Sequence, residues 1–189
     1  MSRRTRTLHN IQRRLERIYG LESRPNVVDF VRTANDGGRE TLLLREHEDA
    51  LEIALLLPPG EPMRPGGCDL WFQIAEGVSH FVYVTERART RLPATQLELE
   101  LQAEVDKFVL LADEQAENGR RLRERLFENV SFLHPEDSEA GQRYRMANDL
   151  AARFVSRLMA MPNREERVKK LRRFYRAGQA EKIRLARAA

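Results

Sequence analysis

The stretch LWFQIAEGVSHFVYV, residues 70–84, decides the fold. Apolar side chains recur on almost every side of a helix drawn through it, the pattern of a helix buried inside a protein. Gln73, Glu76, His80, Tyr83 and Arg87 follow at spacings of three, four, three and four. Those spacings put them on one polar stripe of that helix. Asp69 is the expected N-cap. The run is too short and too polar for a membrane span, which takes about 20 apolar residues.

Downstream the chain reads as helix. In 96–117, Leu97, Leu101, Val105, Phe108 and Ala112 share a helical face. Leu97, Leu99, Leu101, Ala103 and Val105 also alternate like a strand, but the Glu, Gln, Leu and Ala content favours helix. Pro93 is expected at its first position and Asn118-Gly119 at its end. A short helix over 121–128 precedes a long one that opens at Asp137 or Ser138 and runs to Met161. Tyr144, Ala147, Ala151, Phe154 and Leu158 form the long helix's apolar face. Pro162 stops it, and Asn163 with Glu166 resembles a capping box for a basic final helix that Gly178 divides.

Upstream, Leu8, Ile11, Leu15 and Ile18 make an amphipathic helix over 8–19, stopped by Gly20. Residues 27–33, 41–45 and 51–57 read as strands, with a turn at Asn35-Asp36-Gly37-Gly38. The run 51–57 also fits a short buried helix. The Pro- and Gly-rich segment 58–67 is a connector, or a flap over a site. The expectation is a single α+β domain over 1–189: an N-terminal helix, a small three-stranded antiparallel sheet, and a bundle of four to five helices. Its parts are a meander region (1–67), a helical core (68–162) and a basic C-terminal segment (163–189).

Hydrophobic residues make up 41% of the 189, which excludes a wholly disordered chain. Aromatics are 7%, too few for an extended base-stacking platform. The lone Cys68 excludes an intramolecular disulfide and a zinc site built on several thiolates. The basic start is not followed by an apolar run, so it is not a secretory signal. A soluble, cytoplasmic protein is expected. Net charge is +5 in residues 1–24, +7 in 164–189, and −8 between them, within a total of +4. Either the basic ends fold onto the acidic body, of the same or a neighbouring subunit, or they meet an anionic partner.

Two functions are open. The first is a regulatory or adaptor protein that contacts an acidic protein surface or a nucleic acid through its basic terminal helices. Arg13, Arg14, Arg17, Lys169, Lys170, Arg172, Arg173 and Arg176 would make that contact. The second is a small enzyme. If the helices at 70–84 and 96–117 fold back on each other, Glu76, His80, Glu100 and Glu104 offer one imidazole and three carboxylates to a divalent metal. Without a metal, Glu76, His80 and Glu104 would serve as acid–base groups, and Gly77 would allow close approach. The competing reading makes this stripe a structural hydrogen-bond cluster. It lacks the second His of a zinc-protease helix and the Glu-x-x-His spacing of di-iron bundles. His9, His47 and His134 join no motif, and neither Gly37-Gly38 nor Gly66-Gly67 has a phosphate-loop context.

Overall fold

A computed structural model describes residues 1–22, 25–34, 38–47, 51–62, 69–114 and 119–188, with the backbone alone for Glu46, Asp113 and Glu114. Most of the 35–38 turn, Glu48, Asp49, the second half of the 58–67 segment, Cys68 and Asn118 lie outside the described residues. The chain divides into two compact units: Met1–Arg17 with Leu21–Pro93, and Ile18–Gly20 with Ala94–Ala189.

The first unit holds most of helix α1 (Arg3–Tyr19), a 3-10 turn (Val27–Phe30), strands β1 (Val31–Thr33), β2 (Thr41–Glu46) and β3 (Leu51–Leu57), and helix α2 (Asp69–Arg89). The expected antiparallel meander is corrected. The strand order is β1-β3-β2, with β3 parallel to β1 and antiparallel to β2, so the sheet is mixed. Composition accounts for the order. β3 carries the most continuous apolar run and takes the centre, where Leu55 and Leu57 are fully buried; β2 leaves Leu43 and Leu44 exposed at the edge. The first half of the 27–33 segment is the 3-10 turn, opened by Asn26, whose side chain accepts from Val28 N.

Helix α2 packs on β2 and β3. Trp71, Ile74, Val78 and Phe81 are buried, and the Phe81 ring lies 5.0 Å from that of Phe30. Gly77 is the contact point: a Cβ there would meet Leu55 Cδ1 at 2.7 Å and Glu40 Cγ at 2.8 Å. Asp69 is the first residue of α2 and not its cap. Its carboxylate accepts from Gln73 Nε2 at 2.6 Å and from Arg39 at 3.2 and 3.3 Å.

The second unit contains α3 (Gln96–Glu114), α4 (Gly119–Arg123) running into a π-helical turn (Glu124–Glu128), α5 (Glu139–Ala160), α6 (Arg164–Arg176) and α7 (Gln179–Arg187). Seven α-helices among the described residues replace the expected N-terminal helix plus four to five. Pro93 is not the first helical residue of α3. Thr95 Oγ1 accepts from Glu98 N at 3.2 Å and Glu98 Oε2 accepts from Thr95 N at 2.7 Å, a reciprocal capping box that starts the helix at Gln96. Ser138 caps α5 as expected, accepting from Gly141 N, and Gly178 separates α6 from α7. The core gathers Leu101, Val105 and Leu111 of α3, Leu150, Phe154 and Val155 of α5, and Phe174 of α6. Phe154 and Phe174 stack with ring centroids 3.9 Å apart.

Candidate functional site

Helix α6 has three kinds of side. Leu171, Phe174 and Tyr175 are buried. Lys169, Arg172, Arg173 and Arg176 recur at the i, i+3, i+4, i+7 positions of one face. Together with Ala177 and Glu181 they line an open groove of about 610 Å³. Four of the five basic residues expected at the C-terminal end are therefore gathered in one place.

Internal contacts hold parts of this groove in position. Arg172 Nε donates to the Ile18 carbonyl at 2.9 Å, which neutralises the negative end of α1. Gly20 just beyond has φ +64°, and a Cβ there would lie 3.1 Å from the Arg172 guanidinium carbon. Glu181 accepts from Arg184 Nε and Nη2 at 2.6 Å each and from Arg173 Nη2 at 2.9 Å. The hydrogen bonds from Arg184, with further help from Arg173, hold the Glu181 carboxyl below its ordinary range. Arg172 and Arg173 thus have dual roles, while Lys169 and Arg176 are exposed. Lys170 is half-buried and does not line the groove. In the first unit, Arg13 and Arg17 of α1 are exposed and Arg14 is half-buried; Arg13 sits 3.9 Å from Glu16.

Beneath α6 and α7 lies a buried polar chain. Lys182, on the apolar side of α7, is fully buried and donates to Gln102 Oε1 at 2.5 Å. Its ammonium also lies 4.3 Å from the Phe174 ring centroid. Gln102 Nε2 donates to Asp106 Oδ1 at 2.8 Å and to the Tyr19 hydroxyl at 3.0 Å. The Tyr19 hydroxyl donates to Asp106, and its ring stacks on Tyr175 at 4.2 Å. Burial, then the Asp106 carboxylate, pushes the Tyr19 phenol well above its usual value. The sequence reading missed this chain. One signal for it was present: Lys182, Leu185 and Ala186 share a helical face, which places a lysine on the side that packs inward.

Glu76 and His80 of α2 belong to the first unit, and Glu100 and Glu104 of α3 to the second. In the first unit His80 and Glu40 form a buried pair, with Nδ1 3.3 Å from Oε1 and both side chains 8% exposed. Glu76 and His80 offer ligand atoms within 4.8 Å of each other. Glu40 was not among the expected site residues; it lies 40 positions from His80 in the chain and reaches the helix across the space left by Gly77. The remaining stripe is engaged in structure. Gln73 Oε1 accepts from Glu40 N at 2.9 Å, and Arg87 donates to Pro93 O at 2.9 Å. In the second unit Glu104 accepts from Lys107 at 2.8 Å.

No family model, curated protein or solved structure matches this chain. Among the described residues no helix is long and apolar enough to cross a membrane.

Proposed function

We infer that this chain is a regulatory or adaptor protein whose α6 groove docks an acidic segment of a partner protein. The observation that carries the reading is the convergence of Lys169, Arg172, Arg173 and Arg176 on one groove. Glu181 within it favours a protein partner over a nucleic acid. A carboxylate among the cations opposes a uniform row of phosphates but suits a surface of mixed charge. The aromatic residues of α6, Phe174 and Tyr175, are buried and offer bases no stacking surface. Arg13 and Arg17 of α1 belong to the same proposal as a second cationic patch.

The test is binding of the full chain to poly-L-glutamate and to a short DNA duplex over a range of salt, read by fluorescence anisotropy. The expected result is salt-sensitive binding to the polypeptide. It weakens by about tenfold or more when Lys169, Arg173 and Arg176 are all changed to Gln. Glu181→Gln releases Arg173 and Arg184 and tightens binding by roughly threefold, on the scale of one exposed charge pair. Tighter binding to the duplex at equal salt would reassign the groove to nucleic acid. Salt-insensitive binding, or none, rejects it.

A second reading keeps the Glu/His chemistry. It is favoured by the buried Glu40–His80 pair, in which a carboxylate orients an imidazole, with Glu76 one helical turn away. In this reading His80 and Glu76, both in the first unit, hold a divalent metal or work as acid–base groups. Stoichiometric zinc or cobalt uptake that is lost in His80→Ala supports it; equal uptake by both chains counts against it.

A further inference from the structure

Another face of α6 points to a different ligand. Arg164, Arg167, Val168 and Leu171 occupy the i, i+3, i+4 and i+7 positions, five residues out of step with the basic groove and so about 140° around the helix. With Phe108, Val109 and Ala112 of α3 and Leu158 and Met159 of α5 they line a pocket of about 390 Å³. Ile18 and Gly119 complete the wall, all within the second unit. The volume lies in the range of small-molecule sites, about 300–1,000 Å³.

The wall is apolar apart from two guanidiniums. Among the described residues, neither Arg164 nor Arg167 has a carboxylate within ion-pair distance, whereas Arg153, Arg173 and Arg184 of the same unit each do. Glu165 and Glu166 follow Arg164 directly but do not line the pocket, and their backbone N–H groups are taken by the Asn163 cap. Ala112 and Met159 remain exposed at the opening. An apolar hollow edged by two cations matches a ligand with an aliphatic body and an anionic head.

We propose that this pocket binds a small amphipathic carboxylate of the medium-chain fatty-acid class. The chain fills the space between Phe108, Val109, Leu158 and Leu171, and the carboxylate pairs with Arg164 and Arg167. A guanidinium fork presents two parallel N–H donors to a carboxylate, which gives both charge and direction. The site is separate from the groove around Lys169 and Arg176, and it stands or falls independently of it.

The test is calorimetric titration of the full chain with decanoate and, in parallel, with decanol, which shares the alkyl body but has no charge. The expected result is saturable one-to-one binding of decanoate. In Arg164→Gln/Arg167→Gln it weakens by about tenfold or more, while decanol binding changes by less than about threefold. Ala112→Trp, at an exposed position, fills the pocket and removes binding of both. Melting temperatures close to the parent's show that both variants remain folded. Absence of decanoate binding overturns the proposal, as does binding that survives Ala112→Trp. So does a concentration-dependent rise in mass that Ala112→Trp abolishes, because the occupant would then be a second copy of the chain.

Discussion

Tyr19 carries the sharpest consequence of any single residue. Its neutral phenol gives Asp106 a buried hydrogen bond, and burial together with that carboxylate raises its pKa in the folded state. In the unfolded chain the phenol ionises near about pH 10. The folded chain therefore keeps its proton where the unfolded chain releases it. The stability linked to this group is complete below about pH 10 and falls as pH rises toward the higher folded-state value. Tyr19→Phe should lose about 1–3 kcal/mol at neutral pH, since it removes a donor from a buried carboxylate, and should lose less on going to alkaline pH than the parent. Urea unfolding of both chains from pH 7 to 11 checks this; parallel curves would show that Tyr19 does not titrate with unfolding. Residues such as Lys182 were within reach of the sequence because helical spacing alone places them inward. Glu40 was not: its pairing with His80 depends on a sheet strand and a helix meeting at Gly77.

Among the elements, α6 has the most to do, and its start is held by one side chain. Asn163 Oδ1 accepts from Glu165 N at 2.8 Å and from Glu166 N at 3.4 Å. Asn163→Ala should cost about 1 kcal/mol and lower the melting temperature by roughly 2–4 °C. Fraying would begin in the first turn, so decanoate binding at Arg164 and Arg167 should weaken more than poly-L-glutamate binding at Lys169–Arg176; equal losses would mean that α6 responds as one rigid rod. The helices were legible because their caps and apolar periodicities are local. Ser138, Asn163, Gly20 and Gly178 all mark ends in the sequence itself. The strand order was not local. β1 is three residues long, and nothing within it specifies whether it lies beside β2 or β3. The Thr95–Glu98 box was readable in the sequence, but Pro93 competed for the same boundary. The π-helical turn at Glu124–Glu128 has no comparable signature.

For the whole molecule, the division between basic ends and acidic middle is a matter of composition, yet the structure gives the C-terminal charges different tasks. Lys182 is buried, Arg172 caps α1, Arg184 is tied to Glu181, and Lys169 and Arg176 are exposed. Counting charge therefore overstates what is available to a partner. It also means that removing residues 164–189 does more than remove charge. Phe174 leaves Phe154, and Gln102 loses Lys182, so the α3–α5 core opens. Substitution of surface cations separates binding from folding where truncation does not. The burial of Lys182 has one more consequence. The chain has only four lysines, and this one has no access to solvent while Lys169 stands exposed on the neighbouring helix. An amine-reactive reagent that modifies Lys169 at once reaches Lys182 only when α7 lifts from the core, so the ratio of the two labels becomes a clock for the breathing of the native state.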